Sequence, residues 1–193
     1  MSMKIREKGT FEYLKSKKKL NLIIMLGAFA VVFIVFLTGL LIFKTRNNYC
    51  TVAAVVLVLP AAKFAVAYFV LLPHKSAEKE LYDKVTKTAG KLTCLFDCVF
   101  SNTKSPIGTL AVVVTDNSVC ALTAEEKADC SFFENSVRDF LKNDKLNVTV
   151  TLYKDEKTFL NRVKNLSVNF DNENKNCIDR MGWNTDSVKN MCL

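Results

Sequence analysis

Asp116 follows the run AVVVT, and Asp155 and Glu156 follow VTVTLYK. Carboxylates at strand ends are the residue type that holds a divalent cation and orients a phosphoryl group. If the two strands run parallel, the three acids meet at the carboxyl edge of a sheet, where open α/β sheets form ligand crevices. A turn and a helix start ask for the same residues, because a carboxylate caps free backbone N–H groups and complements the helix dipole. Capping carries more weight. Asp116, Asp155 and Glu156 are nevertheless the candidates for a metal-dependent hydrolase or phosphoryl-transfer site.

Other chemistry is sparse. The single histidine, His74, lies beside an apolar run with no serine or cysteine in triad-like context, and reads as an interfacial flank. The sequence contains no HExxH, no CxxC and no phosphate-cradling glycine loop. No metal site and no cofactor are expected. Seven cysteines leave at least one unpaired within the chain. Cys94, Cys98 and Cys120 sit in apolar, strand-like surroundings, where a reduced thiol acts as a small hydrophobe. Cys94 and Cys98 are expected on one strand face, too far apart for usual disulfide geometry. Asn147-Val-Thr149 and Asn165-Leu-Ser167 match the glycosylation pattern, which matters only in an exported domain.

The elements that position these residues follow from the apolar runs. Leu22 to Phe43 is an uncharged stretch of 22 residues. As a helix it is about 33 Å long, enough to cross a hydrocarbon core. It exceeds the apolar region of a signal peptide and lacks a small-residue cleavage site at its end. Thr51 to Leu72 is a second such run, with Pro60 and Lys63 near its centre. A central lysine costs about 2.5–3.5 kcal/mol, which the surrounding valines, leucines and phenylalanines offset. Ala54, Val58, Ala61 and Ala65 recur at three- or four-residue spacing and predict a helix-packing face, for the hairpin itself, a second copy or a partner; Gly27 and Gly39 suit the same role on the first run. Neither run contains an acid, so Lys63 has no intrachain ion pair there; it is expected to snorkel to lipid phosphate, to pair with a carboxylate of a partner, or to line a pathway.

Charge is divided unevenly. Up to Lys63 there are ten Lys or Arg and two acids; the remainder has 17 of each. The excess therefore flanks the apolar runs and does not mark a nucleic-acid surface. Seven basic residues precede the first run, two (Lys44 and Arg46) lie in the joining loop, and Lys75, Lys79, Lys84, Lys87 and Lys91 follow the second. The positive-inside rule then places both termini in the cytoplasm. Lys15, Lys17, Lys18 and Lys19 are suited to an anionic leaflet, beyond their role as a topology signal.

After Pro73 the pattern becomes that of a soluble domain. Ala77, Leu81, Val85 and Ala89 predict a helix closed by Gly90. Strands are expected at LTCLFDCVF, with Leu92, Cys94, Phe96, Cys98 and Phe100 on one face, and at TLAVVVT, VCAL and LNVTVTLY. Thr123 and Glu126 suggest a capping box opening the next helix. A further helix carries Phe159, Val163 and Leu166. The stretch from TLAVVVTD to LNVTVTLYKD fits a parallel β-α-β unit. A loop is expected at SNTKSPIG, and a final short helix near 184–190.

The sequence therefore predicts a basic segment at 1–21, a transmembrane hairpin at 22–72 with spans 22–43 and 51–72, a two-layer, mixed-sheet α/β domain at 73–170, and a polar tail at 171–193. The function class is a membrane-anchored accessory or protein-interaction module at the cell membrane. Its expected partners are the lipid bilayer, a membrane protein or second copy, and a cytosolic protein or small ligand, with no nucleic acid. A tethered enzyme using the acidic edge and a subunit of a small oligomeric transporter are the alternatives.

Overall fold

A computed structural model describes residues 7–43, 49–101, 106–170 and 173–193. Lys44 and Arg46, loop residues 102–105 and the first six residues lie outside this description. The chain divides into two bodies, one of residues 15–73 and one combining the stretch up to Leu14 with His74–Leu193.

The first body is a helical pair, α1 (Tyr13–Phe43) and α2 (Tyr49–Leu71). Both helices are long and apolar enough to cross a membrane, and only 6% and 17% of their most apolar windows are buried. The polar turns before Leu22 continue α1, because lysines are good helix formers. Ala54, Ala61 and Gly39 are buried. Small side chains at such positions suit helix packing. Ala65 is half-buried, while Val58 and Gly27 are exposed.

The second body contains α3 (Lys79–Ala89), β1 (Thr93–Phe100), β2 (Ile107–Val114), β3 (Ser118–Leu122), α4 (Cys130–Asn143), β4 (Thr149–Tyr153), α5 (Glu156–Asn169) and α6 (Lys175–Met191). The sheet order is β1-β2-β3-β4. β2 is antiparallel to both of its neighbours, β1 and β3, and β4 runs parallel to β3. The parallel crossover is thus β3-α4-β4. β2, expected from the sequence as β4's parallel mate, is separated from it by β3.

Helices cover both sheet faces, in place of the two-layer arrangement expected. The reason lies in β2: Val112 and Val114 enter one apolar cluster with α4 and Val188 of α6, whereas Ala111 and Val113 enter another with α3 and α5. A strand apolar on both faces needs cover on both. The segment after Phe170, expected as a polar tail with a short helix near 184–190, forms the longer α6. Its buried positions are Asn184, Thr185 and Val188.

β1 does not keep one apolar face. Cys94 and Phe96 pack with α3 and α5, but Cys98 and Phe100 pack on the opposite side. Asp97 lies between them with φ 56°, a left-handed conformation that turns the strand over. Its buried carboxylate accepts a 2.7 Å bond from Ala77 N.

Each edge strand has backbone groups bonded outside the sheet. On β1, Phe96 N donates to Gly9 O (2.8 Å) and Leu193 N donates to Val99 O (2.8 Å). On β4, Leu152 N donates to Glu134 Oε1 (2.9 Å). These contacts occupy backbone groups that would otherwise template association.

Candidate functional site

The three acids singled out by sequence are not brought together. β2 and β4 run in opposite directions, so Asp116, just beyond β2, and Asp155, just beyond β4, stand at opposite ends of the sheet. Asp155 caps α5: its Oδ2 accepts bonds from Thr158 N (2.8 Å) and Thr158 Oγ1 (2.6 Å). The Thr158 side chain, aided by its backbone N–H, holds the Asp155 carboxyl below its usual range. Glu156 lies 3.1 Å from Lys84 Nζ, which also meets Glu80 at 2.8 Å and so ties α3 to α5. Asp116 contributes its backbone oxygen to Asn184 Nδ2 at 2.9 Å. Among the described residues, no group of three His, Cys, Asp or Glu side chains converges as a metal site would require.

The carboxyl end of the β3–β4 pair carries a polar network that the sequence did not reveal. His74 is buried, with Nδ1 2.6 Å from Glu125 Oε1. Gly108 N donates to the same oxygen at 2.9 Å. Thr123 Oγ1 donates to Gly108 O at 2.7 Å and accepts from Glu125 N at 3.1 Å. Thr123 therefore shapes a turn, and α4 starts later with Asp129 accepting from Phe132 N. The histidine read as an interfacial flank belongs to the domain interior. A carboxylate that orients an imidazole is half of a proton-transfer device. Here Thr123, the hydroxyl nearest in the network, is committed to a backbone carbonyl. The arrangement secures the start of the domain.

At the amino ends of β3 and β4 an open polar cleft is lined by Asn117, Ser118, Arg138, Asn147, Thr149 and Arg162, with no carboxylate among its lining residues. The two guanidinium groups come from α4 and α5. They present several donors in a fixed planar fork, the geometry that suits oxyanions.

In the helical pair, Lys63 is exposed and thus lies outside the buried Ala54–Ala61 face. In the basic run, Lys15 and Lys19 are exposed, Lys17 is half-buried, and Lys18 Nζ donates to Leu72 O at 3.1 Å. A cation at the end of α2 complements its dipole.

The seven cysteines are free thiols. Comparison with family models, with characterised proteins and with solved structures finds no match to this chain.

Proposed function

We propose that the protein is a membrane-anchored accessory or interaction module, with α1 and α2 crossing the bilayer as a hairpin and the α/β domain on the cytoplasmic side. One observation carries this reading. The residues before the first apolar helix and those after the second build a single folded body, with Gly9 bonded to β1. A chain that crosses twice and returns satisfies that requirement. The exposed side chains Phe33, Ile34, Leu41 and Leu59 supply the apolar surface that lipid covers. The basic flanks supply the direction.

The test combines flotation with protease protection. The full chain, tagged at both ends in turn, is expected to float with membranes and resist alkaline extraction. On intact cells both tags should be shielded. Release into the aqueous fraction, or cleavage of either tag from outside, defeats the reading.

The cleft between Arg138 and Arg162 favours a second role for the domain, binding a small oxyanion. Titration of the detergent-solubilised chain with inorganic pyrophosphate should show saturable binding that Arg162→Ala removes.

A further inference from the structure

The face of α2 opposite its buried alanines has a composition of its own. Lys63 stands nine residues after Ala54 and two after Ala61, which sets it about 180–200° around the helix from them. On that face Val52, Val56, Leu59 and Val66 are all more than half exposed. With Lys63 they follow at intervals of four, three, four and three residues. This is the a/d spacing of a coiled-coil seam, with Lys63 at an a position. The exposed surface of α1 from Leu22 to Phe43 contains no charged residue, and lipid alone satisfies it.

Lipid does not satisfy Lys63. The end of the apolar run at Leu72 lies nine residues away, about 13 Å along the axis, beyond the reach of a four-carbon stem. The Cα–Cβ bonds of a helix also tilt toward its amino end, away from Leu72. A second copy would bring another lysine and, with no acid in either run, nothing to neutralise it. A single polar residue at an a position fixes which helix pairs and in which register.

We propose that Val52, Val56, Leu59, Lys63 and Val66 form a docking seam for a transmembrane helix of another protein that presents one carboxylate at bilayer mid-depth. The valines and leucine supply packing, and the lysine–carboxylate pair supplies selectivity. This deepens the accessory-module reading and rests on α2 spanning the membrane.

The full chain, carrying a donor fluorophore, is reconstituted in phosphatidylcholine vesicles. It is titrated with acceptor-labelled synthetic Leu/Ala helices of span length that carry Glu, Gln or Leu at their centre. Energy transfer should saturate with the Glu helix at about ten-fold lower peptide-to-lipid ratio than with the Leu helix. Lys63→Leu should remove that difference and Lys63→Arg should keep it. Equal transfer from all three helices, or an unchanged preference in Lys63→Leu, overturns the proposal. So does Lys63-dependent transfer between two labelled copies, which would assign the seam to self-association. Flotation of the same vesicles separates the failures: a chain left in the aqueous fraction defeats the span itself, whereas a floating chain that ignores the Glu helix defeats only the docking seam.

Discussion

Gly108 shows how much a single position governs at the carboxyl end of the sheet. A Cβ there would stand 2.9 Å from Glu125 Oε1 and from both Cβ and Nδ1 of His74. Gly108→Ala should therefore cost about 1–3 kcal/mol by overpacking. Gly182→Ala, in an open stretch of α6 with nothing within 4 Å, should be neutral or stabilising. Urea unfolding of the full chain in detergent, followed by its one tryptophan, compares the two. The thiols give a pH dependence. Burial pushes Cys94 up to about 11 and raises Cys120. The hydrogen bond with Cys192, then burial, lifts Cys98 well above its ordinary value. The unfolded chain ionises these thiols first, so their contribution is complete below about pH 8.5 and declines as the pH climbs through the raised folded values. The urea midpoint should fall on going from neutral pH to about pH 10, and less so in Cys94→Ala. At this scale the sequence was silent about His74, because its partner Glu125 is 51 residues distant and no local spacing announces the pair.

Helices α3 and α5 and strand β4 were legible because each buries an apolar stripe at its own period: Leu81, Val85 and Ala89; Phe159 and Val163; Val148, Val150 and Leu152. Of α6 only the stretch near 184–190 was legible, and its first turns were not, because its inward face is partly polar. Asn184 is buried and its Nδ2 donates to the backbone oxygens of Thr115 (2.8 Å) and Asp116 (2.9 Å). A hydrophobic pattern does not register an amide that works in this way. Asn184→Ala leaves two carbonyls short of a donor and should lower stability by about 1–3 kcal/mol, read as a shift of the urea midpoint without a change in slope. β1 misled for a different reason. Strict alternation assumes that no residue turns left-handed, and Asp97 does. The start of α5 carries its own acid dependence. Asp155 has a lowered folded pKa, so its contribution is present above the unfolded carboxylate value and lost as pH falls through the folded one. Asp155→Asn keeps a cap residue and should flatten the acid limb of the stability–pH profile.

Across the whole molecule, the two apolar helices and the mixed sheet could be read from run length and alternation, while the union of distant segments could not. Gly9 has φ 81°, and a Cβ there would stand 2.7 Å from Leu95 Cδ2. Phe11 packs against Tyr82 with ring centroids 4.7 Å apart, and Tyr82 against Phe96 at 4.8 Å, both pairs tilted. Lys8 Nζ donates to Cys192 O at 2.8 Å. Nothing in the composition of residues 7–14 signals that they close a sheet edge some ninety residues later. Gly9→Val should loosen this closure and speed amide exchange at Phe96 while leaving exchange within β3 unchanged.

That closure also imposes an order on biogenesis. Residues 7–14 are synthesised long before β1 emerges from the ribosome, and on the hairpin reading two crossings must be completed in between. A molecule arrested after one crossing would hold the early segment and its strand in different compartments. The domain would then lack one edge, with the Phe96 amide bare. On that reading, closing the β1 edge requires both crossings to be complete, so an open edge would mark a misthreaded chain.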